Sequence, residues 1–467
     1  MRILLPLLWL ILPALACAPS RMPFDLPPLV VSADGRFLLQ ASPTGGRPFF
    51  YLGDTAWELF HRLSREEADT YLQDRAAKGF TVIQAVVLAE LDGLQTPNAY
   101  GQLPLTDFDP TRPNEAYFEH VDWITRRAAS LGLYIGMLPT WGDKWNKRWG
   151  VGPEIFTPEH ARTYGEWLGR RYRDRSNIIW IMGGDRIPET DTHRAIIHAM
   201  AEGVRQGDGG THLMTFHPMG TRNSAEFFHD QPWLSFNMVQ SGHGSERDGA
   251  NYTYQRENYA RTPAKPTLDG EPRYEDHPAA WRPEELGWYD AADVRRAAYW
   301  GLLAGACGTT YGNHNIWQMW QPGRAPIAWA RTSWRQALHH EGSEQMAYLR
   351  RVFESRPWQR LVPDSTLVLS DNPRDGAHVL AARSQDGDFA FAYTPQGRPV
   401  RLDLQALKGE QLRTWCFNPR DGLAWELGTF PRDSVPAFEP PARGRGSDWL
   451  LVVEDAARGY GPPGIVP

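Results

Sequence analysis

The sequence predicts an α/β protein: a (β/α)8 TIM barrel followed by a small antiparallel β-sandwich. Two observations lead there. Short apolar, β-rich runs alternate with amphipathic helical stretches about eight times over roughly 300 residues. Beyond residue 360 the helical stretches stop, and short alternating strands follow one another between Asp-Gly, Gly-Asp and Pro signals.

The expected barrel strands are FFYLGDTAW (49–57), FTVIQAVVL (80–88), LYIGMLPTW (133–141), IIWIMGGDR (178–186), HLMTFHPM (212–219), LSFNMVQSGH (234–243), KPTLDGEPRYED (265–276) and GTTYGNHNIW (308–317). Each opens apolar and closes polar or aromatic, as a strand leaving a core for a barrel mouth should. The helices between them carry recognisable starts and stops. Ser64 caps REEADTYLQDRAAKG, with acidic residues in the first turn and Gly79 beyond the last. Asn114 caps EAYFEHVDWITRRAASLG, whose Phe118, Val121, Ile124 and Ala128 form one apolar stripe. Thr157-Pro158-Glu159 starts a helix that turns Tyr164, Trp167, Leu168 and Tyr172 toward the sheet. The fifth crossover has only NSAEFFHDQ to offer, which predicts a short or distorted helix.

These readings divide the chain into residues 28–360, the barrel, and 361–455, the β-module. In the module the expected strands are STLVLS, HVLAARS, FAFAYTP, RPVRLDL, LRTWCFNP and DWLLVVE. No constellation there suggests chemistry, which leaves it support of the barrel or contact with substrate or partner.

Ahead of both, residues 1–17 hold one Arg, an apolar run and Ala14-Leu15-Ala16 before Cys17. The run is too short for a membrane span and reads as an export signal, placing the protein in the periplasm or at the cell surface. Ordinary cleavage after Ala16 and lipidation of Cys17 both remain open, and a lone cysteine at that place favours membrane attachment through a lipidated Cys17. Cys307 and Cys416 lie far apart, no disulfide is expected, and no metal-ligand spacing occurs. The net charge of −6, with Lys and Arg spread along the chain, gives no footprint for nucleic acid. The 20 Trp and 17 Tyr are an excess that fits cores first and sugar-stacking clefts second.

Chemistry in a parallel barrel is expected at the carboxyl ends of the strands. Carboxylates there are few: Asp54 closes strand one, Asp185 closes strand four, and Asp269, Glu271, Glu275 and Asp276 crowd the end of strand seven. The density of that last group predicts mutual repulsion and at least one raised pKa. Acids from strands four and seven face each other across the mouth, the arrangement that retaining glycosidases use. One protonated carboxyl delivers a proton to the leaving oxygen, and one ionised carboxylate meets the anomeric carbon. A separation of about 5–5.5 Å gives retention and about 6.5–9.5 Å gives inversion. Asp185 is the candidate acid/base and Glu271 the candidate nucleophile. Gly183 and Gly184 are read as bending the backbone and leaving room for substrate, Arg186 as orienting a neighbour, and Tyr274 as a hydrogen-bond donor to Glu271. A cap or ion-pair role for Asp185 competes on the motif alone. The expected cleft lining is Asp54, Trp57, Trp141, Arg186, His217, Asn237, Gln240, His243, Tyr274, His314 and Trp317, with Asp54 as the strongest binder of sugar hydroxyls. No cofactor or metal is implied.

The runs YLGDTAWELFHRLSREEADTYLQDRAAKGFTVIQ, WIMGGD, LDGEPRYED and YGNHNIWQMW, in this order over nearly the whole mature chain, resemble glycoside hydrolase family 140. That family pairs an apiosidase-like barrel with a domain named for collagen binding. The resemblance implies hydrolysis of the apiose–rhamnose bond in side chains of the pectin rhamnogalacturonan II. It also implies an acid/base on Asp185 in GGD and a nucleophile on Glu271 in DGEP. Wider barrel glycosidases place Asn-Glu where this chain has Gly184-Asp185, so the backbone or the substrate must come closer to the shorter acid. Asn237 or His217 is expected to replace the missing amide. The competing class is a non-catalytic carbohydrate-binding surface lipoprotein that keeps the barrel. A peptidase finds no H-E-x-x-H, no G-x-S-x-G and no plausible nucleophilic cysteine.

Overall fold

The computed structural model describes residues 26–466 except 245, 247 and 248, so residues 1–17, read above as an export signal, and Cys17 lie outside the described residues. Its centre is a curled parallel sheet of six strands in the order Gly308–Tyr311, Tyr51–Thr55, Val82–Leu88, Tyr134–Thr140, Ile178–Gly183 and Met214–His217. They are the eighth, first, second, third, fourth and fifth of the expected strands. Every residue of the second, third and fourth is buried. Such strands read as unbroken apolar runs because both faces are covered.

The expected sixth and seventh strands, Asn237–Gln240 and Thr267–Asp269, pair in parallel with each other in a separate sheet, with Arg222–Asn223 antiparallel on the outer edge. Among the described residues, single backbone hydrogen bonds join them to the main sheet, helped on the strand-five side by Thr215 Oγ1, which donates to the Phe236 carbonyl (2.7 Å). Ser235 N–H donates to the Met214 carbonyl (2.7 Å) and Cys307 N–H to that of Thr267 (2.9 Å). The continuous ladder therefore has six strands where eight were expected. Strands of four and three residues have few ladder positions to offer. Pro266, directly before Thr267, also lacks the N–H that would extend the seventh.

The helices form where their caps announce them. Ser64 and Glu67 make a reciprocal capping box on Arg65–Ala77, Asn114 accepts from Ala116 N–H on Glu115–Ser130, and Thr157 accepts from His160 N–H on Pro158–Tyr172. Each such cap is worth about 1 kcal/mol. The helices flanking strand four, Pro158–Tyr172 and Asp191–Asp208, touch backbone to backbone. A Cβ on Gly169 would lie 2.3 Å from the Val204 carbonyl oxygen, and one on Gly203 would lie 2.2 Å from that of Arg162. Interlocked glycines thus clamp the strand that carries Asp185. The fifth crossover holds the four-residue helix Ala225–Phe228, as its sparse sequence predicts.

Two regions differ from expectation. A three-stranded antiparallel sheet, Leu29–Val31, Leu38–Gln40 and Arg47–Phe49, precedes the barrel strands and lies by their amino ends, where Tyr134 Oη donates to the Pro27 carbonyl (2.5 Å). Its strands are too short to stand out in a proline-rich lead. The C-terminal module is one six-stranded antiparallel sheet rather than a sandwich, in the order Leu361–Pro363, Leu380–Ser384, Phe389–Thr394, Trp449–Asp455, Gln411–Phe417 and Ala424–Pro431. The segments STLVLS and RPVRLDL make only isolated bridges, Val368 to Leu402 and Val400 to Phe438. Pro399 removes a ladder donor there, while Leu367, Val400 and Leu404 still pack onto one face of the sheet. The module is seated firmly: Arg295 grips Asp448 at 2.6 and 3.0 Å, and the Tyr299 and Tyr393 rings stack 4.6 Å apart. Cys307 and Cys416 are both buried and free.

Candidate active site

The polypeptide leaves strand four through three consecutive residues of positive φ, Gly183 (97°), Gly184 (97°) and Asp185 (55°). Two are glycine because a side chain would collide with neighbouring strand ends. A Cβ on Gly183 would lie 2.4 Å from the His217 carbonyl oxygen, and one on Gly184 2.9 Å from Gly142 N. The space these glycines leave is filled by backbone rather than held open for substrate, which corrects the sequence reading. The left-handed turn aims the short Asp185 side chain, 20 % exposed, into a cleft of about 620 Å³ at the carboxyl ends of the strands. Asp185 is a residue that pays steric strain for its orientation.

Glu271 reaches the same cleft from the segment after Thr267–Asp269. Its peptide is anchored by the Gln84 side-chain amide, which donates to the Gly270 carbonyl at 2.8 Å. Two imidazoles face its oxygens. His243 Nε2 is 3.0 Å from Oε1, and His217 Nε2 is 3.0 Å from Oε2, the latter bent away from a straight hydrogen bond. The Asp185 main-chain N–H donates to His217 Nδ1 at 3.0 Å, which assigns the His217 proton to Nε2, on the side of Glu271. One ring therefore bridges the main chain of one acid and the side chain of the other.

The two acids occupy opposite environments. Burial and then the neighbouring Glu271 charge push the Asp185 carboxyl up to about 6, against the pull of Arg186 and His217. Burial also acts to raise Glu271, but the donors His217 and His243 outweigh it and hold that carboxyl down to about 2. The pair thus separates into one group suited to hold a proton and one suited to stay ionised.

Six residues of the expected lining face the cleft: Trp57, Trp141, Gln240, His243, Tyr274 and Trp317. Trp57 Nε1 donates to Tyr274 Oη at 3.0 Å, tying strand one to the segment that carries Glu271. Trp317, with His314, belongs to the short helix His314–Trp317 rather than to a strand.

The other five are placed elsewhere. Asp54 is wholly buried, taken by Tyr71 Oη at 2.6 Å and Arg75 Nε at 2.5 Å from the following helix. It binds protein, not solvent. Asn237 opens strand six instead of closing it, so it lies at the wrong end of the strand and meets His229 (3.2 Å). The amide beside Asp185 is that of Gln240, at the strand's other end. His217 stands behind the two acids rather than in the lining. His314 supports the loop carbonyls of Ile327 (3.1 Å) and Ala328 (2.9 Å). Arg186 is buried behind Asp185, with Nε on the Asn146 carbonyl and Nη1 on the Asp185 carbonyl.

Among the lining residues that escaped the sequence reading, Glu90, His277, Trp149 and Trp281 bring ionisable groups and aromatic faces to the cleft. Glu90 was visible by the same rule that selected Asp185, since it stands two residues beyond Val82–Leu88. Burial, then the charges of Glu58, Asp185, Asp143 and Glu271, raise its pKa well above the carboxylate range. His277 stacks on His243 at 4.3 Å and its pKa is lowered, first by burial and then by His243 and His314. Trp149 and Trp281, 41 % and 51 % exposed, stand at the rim on loops whose sequences carry no strand or helix pattern.

The crowded acids of strand seven are individually satisfied. Ser241 and Asn251 bond Asp269, Tyr311 and the Gly342 N–H bond Glu275, and Arg331 with Asn315 bonds Asp276. Glu275 rises to about 7 through burial foremost, with repulsion from Asp290 and Asp276 coming last. Desolvation, not the crowding expected from sequence, is the cause. A second cleft of about 850 Å³ lies between Glu275–Asp276, the helix Glu341–Glu354 and loops of the C-terminal module, and there these partners hold Glu275 and Asp276 while Arg445 holds Asp290.

Residues 32–360 match the family described as "Apiosidase-like, catalytic domain", and residues 362–454 that described as "Putative collagen-binding domain of a collagenase". A solved structure named a glycoside hydrolase is 34 % identical over 93 % of this chain and 98 % of its own, with a TM-score of 0.84. A glycoside hydrolase family 5 protein from Bacteroides vulgatus is also 34 % identical, over 94 % of this chain and 95 % of its own, with a TM-score of 0.85. A third structure, from the same organism, shares the fold at 18 % identity, covering 93 % of this chain and 83 % of its own, with a TM-score of 0.67. No curated protein matches the chain. Because residues 32–360 of its 467 carry the match, the protein belongs to the family of apiosidase-like catalytic domains.

Proposed function

We propose that the protein is a retaining glycoside hydrolase of the family 140 type, with Asp185 as acid/base and Glu271 as nucleophile. The observation that carries this reading is the opposite tuning of two acids in one cleft: Glu271 held ionised by two histidines, Asp185 raised beside it. The glycoside hydrolase names of the 34 % identical structures support the reaction class. A binding protein that merely kept the barrel has no use for this division of protonation states.

In the first step Glu271 attacks the anomeric carbon. The glycosidic C–O electron pair passes to the leaving oxygen, which takes the Asp185 proton. In the second step water gives a proton back to Asp185, and its oxygen displaces Glu271. Trp57, Trp141, Trp317, Gln240, Tyr274 and His243 supply the faces and polar groups around the sugar. The apiose–rhamnose bond of rhamnogalacturonan II side chains is the substrate we assign, on the strength of the family resemblance. We also take the two sheets to complete an eight-strand ring around this mouth, residues 28–360 to be the catalytic unit, and residues 361–455 its support. Residues 1–17 are read as directing export to the periplasm or cell surface, with Cys17 lipidated, which metabolic labelling with a radioactive fatty acid tests against Cys17→Ser.

The test of function is incubation with pectic side-chain oligosaccharides, following the released sugar by mass and its anomeric configuration by NMR. Release of apiose with retained configuration is expected. Inverted product removes the nucleophile from the mechanism, and no release from any oligosaccharide of the panel removes the substrate class.

A further inference from the structure

Trp149 is an exposed indole whose polar atom is nevertheless committed. Its Nε1–H donates to Asp185 Oδ2 at 3.1 Å. The Arg186 guanidinium covers one face of the ring, 3.8 Å from its centroid, and Arg186 Nη2 also grips the Trp149 carbonyl. The rest of the indole lines the cleft. The loop that carries it is tethered at both ends: Gly152 N–H donates to Asp143 Oδ2 (2.8 Å), and Lys147 N–H to Glu154 Oε1 (2.6 Å). Asp143 is itself fixed by the buried Lys144 at 2.7 Å. A rim tryptophan that only stacked on sugar would require none of these restraints.

We propose that Trp149 is a positioning residue for the acid, and that its open face is the wall against which the departing sugar stacks. The inference rests on the reading of Asp185 as acid/base. Asp185 Oδ2 already accepts from Trp149 Nε1–H and, at 3.2 Å, from Arg186 Nη1. A proton there would displace a donor, so the transferable proton resides on Oδ1. In the first step the Oδ1–H bond breaks as the leaving oxygen gains its hydrogen, and the negative charge left on the carboxylate spreads to Oδ2, where two N–H groups already point. In the second step the proton from water returns to Oδ1. The same ring that stabilises the spent acid also guides the leaving group across it.

The charged and titratable groups that face Asp185 are Glu271, Arg186 and His217, and Glu90 lies in the same cleft. Trp149→Phe changes none of these four residues and keeps an aromatic face toward the cleft, smaller than the indole, while removing the N–H. The test is the titration of Asp185 in the full chain without substrate, followed by carboxyl ¹³C NMR in wild type, Trp149→Phe and Trp149→Ala. The midpoint is expected to rise by about one pH unit in both variants, because a donor to the charged form is lost. An unmoved midpoint in both overturns the inference. Activity separates the rest, measured on 4-nitrophenyl apioside, whose leaving group needs little protonation, and on rhamnogalacturonan II oligosaccharide. Trp149→Phe is expected to lose about tenfold more kcat on the oligosaccharide than on the aryl glycoside. Trp149→Ala should add a rise in KM for the oligosaccharide alone. Equal losses on both substrates, or no rise in KM, overturn the positioning and stacking roles respectively. If Asp185→Asn retains wild-type turnover, the assignment of the acid itself falls, whatever the titration reports.

Discussion

Asp54 and Asp185 occupy equivalent places in the sequence pattern, each a carboxylate where an apolar barrel strand gives out, yet they meet opposite fates. The helix that follows strand one sends Tyr71 and Arg75 back onto Asp54 and seals it from the cleft. After strand four no helix begins until Asp191, and the left-handed turn through Gly183 and Gly184 carries Asp185 out before anything can cover it. What a strand-end acid does is decided by what the following chain sends back over it. Burial raises both carboxyls, but at Asp54 the Arg75 guanidinium is the main offset, while at Asp185 the repulsion of Glu271 outweighs the pull of Arg186.

The comparison breaks most readily on activity. Glu271→Gln should lower kcat by about 10⁴-fold or more, and Asp185→Asn by about 10²- to 10⁴-fold on an unactivated glycoside. Steady-state rates at the pH optimum check both, and near-wild-type turnover in either removes that acid from the mechanism. The next effect is on stability and runs the other way. Asp54→Ala strands a buried arginine and should cost about 3–5 kcal/mol in urea unfolding. If it costs less than about 1 kcal/mol, Asp54 is not the structural partner its burial makes it.

Asp185→Asn should do the reverse. The folded-state pKa of Asp185 is raised, so its favourable contribution is fully present at low pH and lost as pH rises through about 6. Above that pH the variant should unfold later than wild type, by on the order of 1 kcal/mol, and below pH 4 the two should converge. A variant less stable than wild type at pH 8 contradicts the strained, repelled carboxylate described above. The pH dependence of kcat/KM sharpens the same point: activity should rise as Glu271 ionises near 2 and fall as Asp185 loses its proton near 6. A plateau extending past pH 8 would place the acid elsewhere. The smallest effect is expected from Glu90→Gln, an isosteric change at a carboxyl already held neutral; a loss of more than about threefold in kcat at pH 6 would show that Glu90 acts in its charged form.

Much of the barrel was readable because its physics is local. Apolar runs, helix caps and the cramped fifth crossover are set by neighbours within a few residues, and Ser64, Asn114 and Thr157 cap the helices they announce. Strand order is enough to bring Asp185 and Glu271 to one mouth, which is where the structure has them. What escaped depends on chain distant in sequence or on where a short strand starts. Asn237 and Gln240 differ by three positions, yet one opens the strand and the other closes it. Asp54 could be judged only by knowing that Arg75 reaches back 21 residues. Trp149 belongs to a loop and Trp281 to the single 3-10 turn Ala279–Trp281, too short for periodicity to mark which face meets the cleft. In the C-terminal module apolar alternation in RPVRLDL was mistaken for a strand, and AWELGTFP, exposed along much of its length, was passed over as an edge.

The imidazole of His217 has a consequence for how Asp185 and Glu271 keep their mutual placement. Its two nitrogens face the Asp185 main chain and the Glu271 side chain, so the ring stands as a spacer between the two acids. A drift of the end of strand five is expected to press on both acids at once. Thermal excursions and distant substitutions that shift the mouth as a body should therefore change how well substrate fits long before they change which stereochemical course the reaction takes.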